Sequence, residues 1–282
     1  MAIILSYIAY FVTSTISPLV RKYIFARKNP DSREQIRFAF EVFVIMTIGS
    51  LFLQFFSPFS LAGNKVTLVV LTLICGLCGM AYVILNYSAQ KHIDAGITVV
   101  IINVYTPVSI FLSSIFLQEG LKPIQIFGTI ILLIALVIIA KKHHISAFHF
   151  DKYFLMMLLG GILLGVLLVA ERALQKQTGL SAATLFSWGT QCLFLGLAVL
   201  FFKSKHTYTK KEVATVGIFN TLSSASYVVL VYTVGNLSVV SSITTFLIVT
   251  IFIAAAIFLK EREDLPRKIF GSILAVIGLL LM

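Results

Sequence analysis

The chain alternates between long apolar runs and short polar gaps. Ten runs of about 20 residues can be traced, each long enough for a helix that crosses a ~30 Å hydrocarbon core. They cover residues 2–20, 36–57, 66–88, 95–117, 123–140, 153–171, 181–202, 213–234, 237–259 and 266–282. Several gaps are very short, so neighbouring helices are expected to form antiparallel hairpins. The pattern predicts an all-α integral membrane protein with ten transmembrane helices.

Composition supports a membrane protein and argues against a soluble one. Hydrophobic residues make up 59% of the 282 positions and charged residues 12%, about half the charged share of a soluble domain. The net charge of +11 could suggest nucleic acid, but the basic residues lie in the gaps between apolar runs. Such clusters are typical of loops at an anionic cytoplasmic membrane surface. The first run lacks a charged start and a cleavage site, which predicts a retained span.

The chain contains one unit twice. The segment Ile115–Ala140 is repeated as Ile257–Met282, with Glu119 matched by Glu261 at an offset of 142 residues. Phe127-Gly128 and Pro123 recur at an offset of 143, so one loop residue is inserted. We therefore predict a first five-helix repeat over residues 1–142, a connector over 143–152 and a second five-helix repeat over 153–282.

The basic residues indicate how the two repeats are oriented. Loops with odd numbers hold 18 of the 22 Lys and Arg residues, counting helix ends, and even-numbered loops hold Lys65, Lys122, Arg172 and Lys176. This bias places the odd loops in the cytoplasm and both termini outside it. Five helices per repeat turn the second copy upside down, which predicts an inverted repeat around a central cavity.

These features resemble the drug/metabolite transporter superfamily, in particular its ten-helix EamA-like members. The resemblance is carried by the two endings, residues 119–128 and 261–271, by Pro107, and by Arg37-Phe38. It implies a transporter of a small polar or amphipathic organic molecule, such as an amino acid, a metallophore or a drug, and favours export. Many relatives are described with both termini in the cytoplasm, opposite to the orientation that the charges predict here.

No enzyme signature is present in the sequence. A Walker loop, G-x-S-x-G and H-E-x-x-H are all absent, and the few carboxylates are scattered. His143, His144, His149 and Asp151 could form a metal site, but a solvated basic connector explains them better. Cys75 and Cys78 form a C-x-x-C within an apolar run, where close helix packing is the simpler interpretation. We expect no enzymatic activity, no cofactor and no resident metal.

Acidic residues inside apolar runs are the candidates for coupling. Glu41 lies four residues after Arg37 on one helix face, so it is either an anchoring ion pair or a cavity carboxylate that binds a proton or a cationic substrate. We take Glu41 as the first coupling candidate. Glu171 could reach the cavity if its helix extends further, although a position at the membrane interface is favoured. Glu119 and Glu261 are expected to have structural roles.

Polar and aromatic residues within the runs are the candidates for substrate binding. The eighth run carries a polar stripe at helical spacing, and the first run a weaker one. Pro107 should loosen the fourth run, whereas the second copy has no proline at the matching positions 249–251, so the two halves need not bend alike. The residues proposed to contact substrate are Tyr7, Tyr10, Glu41, Asn86, Asn103, Tyr105, Trp188, Gln191, Asn220, Ser223, Ser224 and Tyr227.

The sequence therefore predicts a secondary transporter in the cell membrane that works by alternating access. Its partners would be a small-molecule substrate and the lipid bilayer, with the proton as candidate coupling ion, no nucleic acid, and a monomeric or homodimeric state. Two alternatives remain open: a facilitative uniporter or exchanger, and a membrane receptor or scaffold that transports nothing. An apolar, filled centre would favour the receptor.

Overall fold

The computed structural model describes residues 2–28, 31–61, 63–90, 92–93, 98, 101–140, 152–203, 207–258 and 265–281. These residues are mostly helical and contain no strand. The helices are α1 (Ala2–Lys28), α2 (Ser32–Ser50), α3 (Lys65–Gln90), α4 (Tyr105–Phe116), α5 (Pro123–Ala140), α6 (Lys152–Phe202), α7 (Lys210–Val234), α8 (Leu237–Thr244), α9 (Leu247–Phe258) and α10 (Leu265–Leu280); a 3-10 helix, Leu51–Phe55, extends α2. The histidine-containing connector and Glu261 lie outside the described residues.

Five of these helices are long and apolar enough to cross a membrane, by length and composition: α1, α2 with its 3-10 extension, α3, α6 and α7. Large apolar side chains lie on their outer faces; Phe201, for example, is 84% exposed. A soluble protein would not leave so much apolar surface in water. The prediction of an all-α, multi-pass membrane protein is confirmed, while the count of ten spans and the inverted repeat stay predictions.

The longest helix contains a sharp turn. Within α6, Gly179 has a φ of 79°, a left-handed conformation that glycine adopts without the steric cost of a β-carbon. Residues 152–178 and 180–202 therefore form two helical halves with almost no loop between them. The sequence placed Arg172 and Lys176 in a gap between runs, and this was wrong, because the helix continues through Thr178.

Helices break at matched places in the two halves of the chain. Asn103 and Val104 form a turn before α4, and Thr245 and Phe246 form a turn between α8 and α9. The offset between the turns is 142 residues, equal to that between Glu119 and Glu261. Both turns use bonds between residues three apart, such as Thr245 N–H to the Ser242 carbonyl at 3.2 Å.

Both halves of the chain therefore bend at matched places, a question that the sequence left open. Pro107 follows the first break, but the second forms without a proline. There the Thr245 hydroxyl donates to the Ser241 carbonyl at 3.0 Å, a local bond that competes with regular helix geometry. The two breaks meet, since the Thr106 and Thr245 hydroxyl oxygens are 3.0 Å apart.

Close packing fixes α6 against the first break. A β-carbon on Gly161 would lie 2.6 Å from the Ile102 carbonyl oxygen, whereas one on Gly160 would lie 3.7 Å from its nearest neighbour. The backbone at Ile102 cannot move aside cheaply, so only Gly161 needs to be a glycine.

We expect Gly161→Ala to destabilise the folded protein by about 1–3 kcal/mol, because the added methyl overpacks the contact between α6 and the chain before α4. Gly160→Ala is the matched control on the same helix, and its added methyl improves helix propensity. Thermal unfolding of the two purified variants in the same detergent measures the difference. Equal shifts for both would contradict the packing at Gly161.

Candidate functional site

A cavity of about 270 Å³ lies within the bundle. Its wall is built by α1, α2, α3, α6 and α7, with contributions from the chain around both helix breaks. Ligand pockets typically measure about 300–1,000 Å³, so a cavity of this size suits a small molecule. The centre of the protein is therefore neither filled nor wholly apolar, because hydroxyl, amide and charged side chains line it.

Most of the proposed substrate-contacting residues share this cavity. Tyr10, Asn86, Asn103, Tyr105, Trp188, Gln191, Asn220, Ser223, Ser224 and Tyr227 all lie in its wall. They come from different helices, which shows that the polar positions converge in space. Whether they bind a substrate stays a prediction. Tyr7 and Glu41 are not among the lining residues.

Glu41 lies away from the cavity and forms an ion pair. Arg37 Nε is 3.2 Å from Glu41 Oε1, and the two side chains are 38% and 21% exposed. This is the anchoring arrangement that the four-residue spacing allowed. The cavity-carboxylate interpretation of Glu41 is not supported by its position.

Tyr7 begins the stripe on α1 but lies beyond the cavity. Its ring stacks on Phe11, one turn later, with a centroid distance of 6.3 Å. Tyr10 is the first residue of the stripe that reaches the cavity wall. A contact between Tyr7 and the substrate stays a prediction, which its position outside the cavity wall does not support.

Among the described residues, Glu171 is the acidic one that lines the cavity. It lies on α6 about two turns before Gly179, and it is only 5% exposed. The helix extends past Glu171 to Thr178, and Glu171 reaches the cavity, which is the alternative that the sequence left open. Its Oε1 atom has no hydrogen-bond partner within the described part of the chain. An ionised carboxylate buried in this way needs a proton or a cation beside it.

Other cavity residues also have unpaired polar atoms. Asn86 Oδ1, Thr98 Oγ1 and Asn103 Nδ2 are buried without a hydrogen-bond partner among the residues that the structure describes. Buried polar atoms are nearly always paired in proteins, by protein groups, water or ligand. With Glu171 Oε1, these atoms offer three acceptors and one amide donor to whatever occupies the cavity.

Aromatic rings form much of the remaining wall. Tyr10 and Tyr227 pack with a centroid distance of 5.6 Å, and the hydroxyl of Tyr227 lies 3.0 Å from that of Ser241. Trp188 is 3% exposed, and its side chain both packs in the core and lines the cavity. Such rings accept apolar or cationic groups on their faces.

Comparison with known proteins places the chain in a family. The model of the EamA-like transporter family matches residues 1–141. The chain belongs to that family. A protein of known crystal structure is similar in fold, with a TM-score of 0.68 at 14% sequence identity, covering 96% of this chain and 97% of that chain. No curated protein matches. The resemblance inferred from the sequence is thus confirmed at the level of the family and of a membrane transporter.

Sequence reasoning missed one side of the cavity of this EamA-like protein. Arg21 lines the cavity and is 8% exposed, although its sequence position suggested a basic loop. Its Nε donates to Gln90 Oε1 at 2.7 Å, and its guanidinium carbon lies 4.4 Å from the centre of the Tyr87 ring. The signal was present: Ser14, Ser17 and Arg21 continue the stripe of α1 at spacings of three and four residues.

A buried ion-pair cluster of this EamA-like chain joins its two halves near the cavity. Glu119 Oε1 is 3.0 Å from both Arg172 Nη2 and Lys176 Nζ. Glu119 Oε2 accepts the backbone N–H of Leu237 at 2.8 Å, at the start of α8. The expected structural role of Glu119 fits these contacts, but the helix end that it stabilises belongs to the other half.

Proposed function

We propose that this protein is a secondary transporter that carries a small polar or amphipathic organic solute across the cell membrane by alternating access. The observation that supports the proposal is the cavity, whose lining residues Asn86, Thr98, Asn103 and Glu171 all have buried polar atoms without a partner among the described residues. A scaffold without transport would have no use for buried polar atoms left unpaired at its centre, since each costs stability.

The two halves of the chain are proposed to be inverted repeats that rock about this cavity. Discontinuous helices at corresponding places in two repeats are typical of transporter binding sites. The breaks at residues 103–104 and 245–246 have this relation, and they meet at Thr106 and Thr245. We propose the repeat boundaries 1–142 and 153–282, with the basic loops in the cytoplasm and export as the direction.

Glu171 is our candidate for the proton-coupling group. Glu41 was the first candidate from the sequence, but it is paired with Arg37 away from the cavity. Glu171 faces the solute, is buried, and has an unpaired oxygen. A single carboxylate that holds either a proton or a cationic solute group would exchange one for the other.

Filling the cavity is the direct test of transport through it. We expect Ser224→Trp to reduce solute flux in proteoliposomes more than tenfold, because the indole would occupy the cavity beside Ser224. Leu222→Trp is the matched control on the outer face of α7, where Leu222 is 49% exposed. Flux is followed with a panel of labelled amino acids, amines and other metabolites.

Two outcomes would count against the proposal. If Ser224→Trp transports as well as Leu222→Trp, the solute does not pass through this cavity. If the folded wild-type protein moves no compound of the panel, the receptor alternative gains support.

A further inference from the structure

We infer that the solute is an elongated ampholyte, with an anionic group held at Arg21 and a cationic group held at Glu171. This inference rests on the proposed function and specifies the chemical class of solute for the same cavity. Both residues line the cavity, both are more than nine-tenths buried, and they carry opposite charges.

At the Arg21 end of the cavity, the guanidinium is held in place by two uncharged partners. Gln90 contributes an uncharged acceptor to Nε, and Tyr87 contributes the face of its ring. Within the described residues, no carboxylate forms an ion pair with Arg21. A buried guanidinium presents a planar fork of donors that matches a carboxylate or phosphate. Held by uncharged partners, the guanidinium is oriented to bind an anionic group of the solute.

At the other end of the cavity, the Glu171 carboxylate has no cationic partner among the described residues. Its Oε1 is unpaired, and none of the described Lys or Arg side chains forms an ion pair with it. Its neighbour Arg172 is instead engaged by Glu119 at 3.0 Å. The aromatic rings of the wall, including Tyr10 and Tyr227, favour an ammonium group over a hydrated metal ion. A cationic group of the solute is therefore expected beside Glu171.

The two charged sites are well separated. Ser17 donates to Asn220 on α7, and Arg21 lies one turn further along α1. Gln175 Nε2 donates to the Val228 carbonyl at 3.4 Å, and the carboxylate lies one turn before Gln175 on α6. Arg21 is therefore level with a position about one turn before Asn220 on α7, and Glu171 with a position about one turn before Val228. Asn220 and Val228 are roughly two turns apart, so at ~1.5 Å per residue the two charged residues are separated by ~12 Å along the bundle.

This separation excludes compounds whose opposite charges share one carbon atom. Glycine and other simple α-amino acids cannot reach both residues at once. An unbranched chain with a charge at each end can, and the cavity of about 270 Å³ has room for a slender molecule of this kind. The wall between the two ends offers amide and hydroxyl groups, such as Asn86 and Ser223, to its middle.

Binding is tested with ω-amino acids of four to ten carbons, measured by ligand-induced thermal stabilisation of the purified protein. We expect one member near 6-aminohexanoate to bind at least tenfold more tightly than glycine, hexylamine or hexanoate. Arg21→Gln should lower its affinity to that of the matching amine, and Glu171→Gln to that of the matching carboxylate. Lys22→Gln is the control, since Lys22 is the neighbouring cation, bonds to the Ile93 carbonyl and is not a lining residue.

The inference is overturned if no ω-amino acid binds more tightly than its amine and carboxylate counterparts. It is also overturned if Arg21→Gln, shown to be folded by its unfolding temperature, keeps the wild-type preference. Neither result touches the proposed function, because the flux assay with Ser224→Trp is independent of solute charge. The Arg21→Glu variant should reverse the preference and bind 1,6-diaminohexane more tightly than 6-aminohexanoate.

Discussion

Glu119→Ala is expected to destabilise the folded protein by about 3 kcal/mol or more. The substitution leaves the buried guanidinium of Arg172 without its carboxylate, and removing one partner of a buried pair costs about 3–5 kcal/mol. It also removes the acceptor of the Leu237 N–H at the start of α8. Unfolding by heat in a fixed detergent reports the loss as a lower midpoint temperature.

The matched control for Glu119→Ala is Glu41→Ala, which removes a glutamate from a partly exposed pair. Such pairs contribute about 0–1 kcal/mol, so a small shift is expected. Glu119→Gln should fall between the two, because its amide oxygen can still accept from Leu237. If Glu119→Ala and Glu41→Ala shift the midpoint equally, the cluster does not hold the halves together.

The helices of this fold could be predicted from the sequence because apolar runs leave few choices. In a bilayer every backbone polar group must be bonded internally, so a run of about 20 apolar residues becomes a helix. The errors occurred at the ends of runs. Arg172 and Lys176 interrupt the apolar pattern but not the helix, since both form ion pairs with Glu119.

The cavity could be predicted in part, from polar residues within apolar runs. Asn86, Gln191 and the stripe from Asn220 to Tyr227 carry a cost in lipid and therefore face inward. Which side of a helix faces the cavity could not always be predicted in the same way. The spacing of Arg37 and Glu41 was compatible with two roles, and they are separated only by the structure, where α2 lines the cavity with other residues but not with Glu41.

The second helix break was missed for a different reason. Sequence reasoning associates a break with proline, and Thr245 and Phe246 contain none. The break is stabilised by the Thr245 hydroxyl, which donates to the Ser241 carbonyl of α8, and by Thr106 of the other half, which is a long-range contact. The repeat offset of 142 residues would have located it, because it maps the turn at residues 103–104 onto 245–246.

Glu171→Gln is expected to abolish solute accumulation driven by a pH gradient. The amide cannot exchange a proton, but it occupies the volume of the carboxyl, so a solute can still move down its own gradient. In proteoliposomes acidic inside by one pH unit, one-for-one exchange can sustain about a tenfold concentration ratio in the wild type. The variant should reach a ratio near one, with the membrane potential clamped at zero by potassium and valinomycin.

Glu41→Gln is the control for this loss, because it removes a carboxylate that lies outside the cavity. It should accumulate solute as the wild type does, whereas Glu171→Asp, which keeps the titratable group on a shorter side chain, should retain part of the accumulation. Competition adds a second readout: solute affinity of the wild type should fall as pH is lowered, since a proton and a cationic group compete for one carboxylate. In Glu171→Gln that dependence should vanish. If Glu171→Gln still accumulates solute when a pH gradient is imposed, or if Glu41→Gln does not, proton coupling does not depend on Glu171 alone as proposed.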